Sequence, residues 1–283
     1  MSLVGDAGRG AVWLAPQFVF RQNGPSMNRN TQVETGYQEC PSRAAHEIEH
    51  GKKLARGDPE TIWGWGSPAG RVRAQRRAQL IAGGAQLRPG VRALEIGCGT
   101  GLFTEMFAAT GADLVAVDIS AELLAKARAR NLPPNQVIFL EKRFEDCGVD
   151  GPFDAVIGSS VLHHLHIEFA LDRICDLLKP GGQISFAEPN MLNPQVFLER
   201  KLPFLRNRFW YISPDETAFV RWSFAVLLKK HGFQDVRIVP FDWVHPAIPA
   251  HLIQVMSALG RSLECIPILR EFSGSLLIRA LRP

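Results

Sequence analysis

Leu94-Glu95-Ile96-Gly97-Cys98-Gly99-Thr100-Gly101 decides the reading of this chain: an apolar strand ends in an acid and runs straight into a turn with glycines at alternate positions. Glycine takes positive φ without steric cost and lets a bound molecule lie against the main chain. Alternate glycines therefore predict a tight strand-to-helix turn with a ligand pressed on it. The helix predicted from Leu102 to about Thr110 offers its amide-rich first turn to that ligand. Dinucleotide sites use a related turn with the pattern G-x-G-x-x-G, but here the third glycine comes one position early and Leu102 stands where glycine is needed.

The next strand, Leu114-Val115-Ala116-Val117, ends in Asp118, at the distance where an acid meets two ribose hydroxyls. Glu95-x-Gly97-x-Gly99-x-Gly101 with Asp118 resembles the class I methyltransferases that bind S-adenosylmethionine, of the methyltransferase type 11 kind. The resemblance continues in Phe153-Asp154-Ala155-Val156-Ile157, Val161-Leu162-His163-His164-Leu165 and Leu178-Lys179-Pro180-Gly181-Gly182, and spans roughly Val91 to Ala187 in the expected order. It implies an α/β, Rossmann-like fold: a seven-stranded, mostly parallel sheet with helices on both faces and the last two strands antiparallel. It also implies S-adenosyl-L-methionine as cofactor, held by Glu95, Gly97, Gly99, Gly101, Asp118, Ile119, Phe144, Glu145 and Ser159. In the family an aspartate soon after the third strand (Val137 to Leu140) binds the adenine amino group, and matching puts Arg143 at that position. Either Glu145 or Asp146 replaces it, or adenine is held by the Phe144 amide and apolar walls.

With 283 residues, 46% of them hydrophobic, the chain can bury one large α/β domain with additions. A net charge of +4 is mildly basic, but the arginines are scattered, so charge alone does not indicate nucleic acid, and an anionic substrate or a membrane surface fits equally well. The cysteines are odd in number and include no C-x-x-C pair, which predicts reduced thiols and no metal. No apolar stretch is long enough to span a bilayer and no signal peptide is evident, so a cytoplasmic protein is expected.

Residues 1–38 read as a loosely ordered leader, with Trp13 to Phe20 as a short strand and Met27 as a candidate start. Residues 39–88 read as an N-terminal helical cover: a helix from Pro41 to Leu54, an irregular Ile62–Gly70 with two tryptophans, and a helix from Arg71 to Leu87. Trp63 and Trp65 either tuck onto the core or form a lid. Arg73 and Arg77 are either a solvated face or point at an anionic substrate group. Residues 89–283 form the methyltransferase-like domain, with insertions at 190–211, expected on the substrate side, and 246–272. A helix is predicted from Ser213 to Lys230. The apolar excess in 246–272 caps the core, forms a dimer face, lines a pocket for a lipophilic acceptor or contacts a membrane surface. Arg261, Glu264, Arg270 and Glu271 mix both signs, which ranks core and pocket first.

His163, His164 and Glu188 fall just past the carboxyl ends of the fourth and fifth strands, where open α/β sheets place their ligands. Some small-molecule O-methyltransferases that this chain resembles use a histidine and an acid there to deprotonate the acceptor hydroxyl. This implies His163 as base, His164 as helper and Glu188 as orienting acid. The expected function is methylation, on oxygen, of a small or lipophilic metabolite. The rivals are N- or C-methylation and a catalytically silent cofactor-binding scaffold; the lack of an asparagine-proline-proline-tyrosine type motif argues against nucleic acid or protein amide acceptors.

Overall fold

Alternation along the strands builds the core. In β1 (Arg92–Ile96), Leu94 and Ile96 face one side of the sheet while Ala93 and Glu95 face the other. β1 lies between β2 (Asp113–Asp118) and β4 (Phe153–Ser159), parallel to both. β3 (Val137–Glu141) extends the sheet beyond β2, and β5 (Leu178–Pro189) pairs with β4 on the other side. β7 (Ser275–Leu281) joins β5 antiparallel and pairs in turn with β6 (Gln234–Phe241), so the seven strands run β3-β2-β1-β4-β5-β7-β6. The predicted parallel sheet with an antiparallel final pair is the one observed. The computed structural model describes residues 41–201 and 217–283, apart from the side chains of residues 41 and 42, all within one compact unit. The expected leader with its short strand and start, residues 202–211 of the first insertion, and the predicted helix start at Ser213 lie outside the described residues.

On one face, α6 (Ile167–Leu177) and α8 (Arg221–Lys230) cover Leu94, Ile96, Val156, Ile184 and Ile278. On the other, α3 (Pro68–Gly84) and α4 (Leu102–Ala108) cover Ala93, Leu114, Ala155, Ile157 and Leu277. α5 (Ala121–Arg128) starts where the Ser120 hydroxyl accepts from the Leu123 amide at 3.3 Å, and buries Leu123, Leu124 and Ala127.

Several predicted boundaries shift for local reasons. α3 begins at Pro68 rather than Arg71, because Ser67 caps it through the Gly70 amide and proline suits the first turn. β5 starts at Leu178, five residues earlier than the predicted Gln183, and absorbs Pro180-Gly181-Gly182 through an irregularity opposite Phe153 and Ala155. The helix expected from Ser213 to Lys230 is not continuous: residues 217–220 are not helical, Phe219 bridges Asn190 and Val220 is extended, so α8 begins at Arg221.

The cover consists of α1 (Pro41–Ala55), α2 (Pro59–Ile62) and α3. α2 is locked to the glycine turn: Thr100 Oγ1 donates to Glu60 at 3.0 Å, Arg130 Nε donates to the Thr100 carbonyl at 2.7 Å, and Arg130 pairs with Glu60 and Glu105. The first insertion contributes α7 (Pro194–Lys201), capped by Asn193. The second contributes α9 (Ile253–Cys265) and a 3₁₀ turn at Leu269–Phe272. α9 does not cap the core, one of the two readings ranked first from sequence: within it only Gly260 is buried, while Val255 and Leu259 are exposed.

Candidate active site

The glycine turn leaves β1 with Gly97, Gly99 and Gly101 all at positive φ. At Gly97 (φ 67°) a Cβ would stand 2.4 Å from Val161 Cγ2, so both the conformation and the neighbour demand glycine. At Gly99 (φ 53°) the nearest neighbour of an added Cβ is the Trp63 ring at 3.4 Å, which places that indole over the turn. Trp65 does something else: it meets Phe103 edge-on at 5.5 Å, with Arg73 and Arg77 over its ring. Of the two tryptophans, Trp63 stands over the turn and Trp65 is packing.

Asp118 ends β2 with its carboxylate accepting the Gly99 amide at 2.7 Å and the Ser120 amide at 2.9 Å. Burial raises its pKa, and those amides oppose the rise. Glu95 is 1% exposed, and burial pushes its pKa up to about 8. Its Oε2 is buried without a hydrogen-bond partner. Thr104 opposes that rise in pKa, and a buried carboxyl oxygen beside the glycine turn suits a cationic donor such as an ammonium group. Beyond β3, Phe144 is buried in the core, and of the two acids Glu145 turns inward (side chain 6% exposed) while Asp146 turns to solvent (70%). Arg143 pairs with Asp146 at 3.0 Å and stands 3.8 Å from Glu145. Ile119 lies between Asp118 and the α5 cap.

At the ends of β4 and β5, His163 and Glu188 form a buried pair, with Nδ1 2.6 Å from Oε2 and exposures of 3% and 0%. Oε1 of Glu188 accepts the Val161 and Leu162 amides, each at 2.9 Å. Burial alone would raise the Glu188 pKa, but the His163 hydrogen bond and charge and these amides outweigh it and hold the carboxyl below its usual range. An ionised carboxylate only accepts, so the proton in this contact sits on His163 Nδ1. The structure brings His163 and Glu188 together. His164, expected as helper, has its ring 4.2 Å from that of His163 and its Nδ1 3.1 Å from Glu47 of α1. It belongs to the cover side of the site.

Arg77 was not foreseen in this role. It is 2% exposed and donates to Ser159 Oγ at 2.8 Å, Ser160 Oγ at 2.9 Å, Ser275 Oγ at 2.8 Å and the Ala187 carbonyl at 2.5 Å. It thus ties α3 to Ser159 and to Ser160, which holds a positive φ of 56°. Burial lowers its pKa to about 10, and it remains a cation at neutral pH. Arg73 makes a bidentate pair with Asp242. Both arginines are thus engaged by partners within the protein, Arg77 wholly buried and Arg73 on Asp242.

Residues 93–182 match the family described as a methyltransferase domain. A ubiquinone biosynthesis O-methyltransferase of Xanthomonas axonopodis pv. citri (strain 306) is 35% identical over 169 residues, covering 58% of this chain and 67% of that protein. The chain belongs to the class I S-adenosylmethionine-dependent methyltransferases. Its cofactor is S-adenosylmethionine. A second relative of the same name, from Xanthomonas campestris pv. campestris (strain B100), is 39% identical over 106 residues, 36% of this methyltransferase and 44% of that protein. Among solved structures, the N-methyltransferase NodS from Bradyrhizobium japonicum WM9, in complex with S-adenosylhomocysteine, superposes with a TM-score of 0.56 at 17% identity, covering 84% of this chain and 99% of that one. That likeness is one of fold.

Proposed function

We propose that this methyltransferase methylates a hydroxyl oxygen of a small, lipophilic acceptor, and that the His163–Glu188 pair removes the hydroxyl proton. The observation that carries the reading is that pair: a histidine whose Nδ1 proton is committed to a buried carboxylate can act as a base only through Nε2. The O-methyltransferase names of the Xanthomonas relatives support the same chemistry. Bound S-adenosylmethionine supplies a methyl group on a positively charged sulfur, so the protein has to align the acceptor and hold its proton. His163 lies under the cover, where the Arg43 guanidinium of α1 donates to its backbone carbonyl at 3.0 Å, so acceptor entry requires the cover to move.

In this reading Asp118 takes the ribose hydroxyls and the glycine turn lies against the cofactor, with Ile119, Phe144 and Glu145 around the adenine. Ser159, held by Arg77, and Glu95 serve the methionine end. The protonated Glu95 makes a sharp expectation. Because its pKa is raised to about 8, the folded protein between pH 4.5 and about 8 holds a proton that the unfolded chain has lost, and stability falls as pH rises through that window. An ammonium group docking on Glu95 favours the carboxylate and expels the proton. Calorimetric titration with S-adenosylhomocysteine at neutral pH, in buffers of different ionisation enthalpy, should register proton release in wild type and none in Glu95→Gln. Equal proton release in both would remove Glu95 from the cofactor's ammonium.

Within the cover, α1, α2 and the turn that carries Trp63 act as a lid over the fixed α3, with Trp63 as its reporter. Binding of S-adenosylhomocysteine should change tryptophan fluorescence, and Trp63→Phe should abolish most of that change while Trp65→Phe keeps it. If Trp63→Phe responds like wild type, the indole over Gly99 is packing only. The functional reading itself is tested by supplying labelled donor with long-tailed phenols and with amines of similar size, and identifying the methylated atom.

A further inference from the structure

The second insertion mixes acids and bases along the sequence, but the fold separates them. Glu264 turns inward to a bidentate contact with Arg76, at 2.8 and 2.5 Å, and Glu271 turns to Arg221 at 2.7 Å. The outward side of α9 and the turn after it is left with Val255 (65% exposed), Leu259 (48%), Ile266 (46%) and Ile268 (74%), with Ala258 and Ser262 between them and no carboxylate. Residues 255, 258, 259 and 262 repeat at helical spacing within α9, so these side chains form one stripe, and Ile266 and Ile268 follow just past the helix end.

The stripe continues toward the active-site end of the sheet. Phe272 (41% exposed) follows, and its carbonyl accepts from Asn193, the cap of α7, which itself exposes Phe197 (47%) and Leu198 (44%). Trp222 (53% exposed) stands beside Arg221, the partner of Glu271. The charges left at the edge are cations on the α9 side and, on α7, Glu199, which accepts from Gln195 at 2.8 Å, beside Lys201. Arg261 has no ion-pair partner among the described residues and lines a cleft of about 400 Å³ with Arg73, Arg76 and Ser257, and Lys201 ends α7 in the open.

We propose that this face, Val255 to Phe272 with Phe197, Leu198 and Trp222, seats the protein on the surface of an anionic phospholipid bilayer. An apolar α9 stripe without acids, an exposed tryptophan and the cation Arg261 beside it are the features of an interfacial surface, in which apolar burial and attraction to anionic headgroups add. No helix among the described residues is long and apolar enough to cross a membrane, so the contact is at the surface. A second copy of the chain is the poorer occupant, because a twofold contact through α9 would bring Arg261 against its own copy with no free acid on that helix to meet it. The inference rests on the lipophilic-acceptor reading only for its purpose, since an acceptor dissolved in lipid is then met where it resides.

The test uses the full chain without any acceptor. It should co-sediment with vesicles of phosphatidylcholine plus phosphatidylglycerol far more than with phosphatidylcholine alone, and less as salt is raised. Leu259→Glu and Ile268→Glu should each weaken vesicle binding by about tenfold or more, and Arg261→Gln by about fivefold. All three should bind S-adenosylhomocysteine as wild type does, which excludes misfolding. Wild type that ignores anionic vesicles, or variants that bind them like wild type, would overturn the proposal. So would a wild-type dimer, seen by light scattering, that Leu259→Glu splits, because the face would then belong to a second copy. Vesicle binding as described, with no methylation of any long-tailed hydroxyl, would leave the docking face standing and sink the acceptor reading instead.

Discussion

Replacing His163 by alanine should lower turnover by roughly 10²–10⁴-fold while S-adenosylhomocysteine binds with unchanged affinity. The expectation follows from how the ring is held. Glu188 is fully buried, accepts two backbone amides on one oxygen and the His163 Nδ1 proton on the other, and is held ionised below the usual carboxylate range. On the proposed reading, a base so oriented has one nitrogen to offer, and without it the acceptor keeps its proton. Breaking a buried pair also costs stability, about 3–5 kcal/mol where one partner is left uncompensated, so melting must be followed alongside turnover. Glu188→Gln separates the two effects: it keeps the side-chain volume and the imidazole but no longer enforces the tautomer, and its turnover should fall between wild type and His163→Ala. Folded variants with near-wild-type turnover would make the pair a clasp for the Val161–Leu162 turn and nothing more.

The second large effect concerns the donor. Asp118→Ala should weaken S-adenosylhomocysteine binding by one to two decades, since a carboxylate that accepts two hydroxyls contributes about 2–3 kcal/mol. In the free protein the same carboxylate accepts the Gly99 and Ser120 amides, so its loss also loosens the glycine turn and the α5 cap. Asp118→Asn, which can still accept one amide, should recover part of the fold stability and little of the affinity. Calorimetry and thermal melts on both variants check the pair of expectations, and cofactor affinity unchanged in Asp118→Ala would misplace the ribose.

What the sequence disclosed follows from the range over which each feature is encoded. The glycine turn and Asp118 lie within one strand-turn-helix-strand unit, and their residue types are dictated by local backbone: positive φ at Gly97 and Gly99 and a cap after Asp118. The His163–Glu188 contact was legible because both residues leave adjacent strands at the same edge. Arg77 was not, because its four acceptors come from β4, the residue after it, β5 and β7, and nothing in the arginine-rich pattern of α3 marks the one that turns inward. The same blindness applied to α9. Composition counts Glu264 and Glu271 as charges on a mixed surface, whereas folding spends both on Arg76 and Arg221 and leaves the apolar side facing out. Arg143 is a partial case: matching flagged it as a departure, and the fold then turned Glu145 inward and Asp146 away.

The most direct test of the account is to give the protein S-adenosylmethionine labelled in its methyl group, together with a long-tailed phenol presented in lipid vesicles, and to locate the label by mass spectrometry and NMR. The account predicts label on the phenolic oxygen as a methyl ether, formed by wild type and nearly absent with His163→Ala. Label found only on nitrogen or carbon acceptors, or no transfer from a protein that binds the cofactor normally, would contradict it.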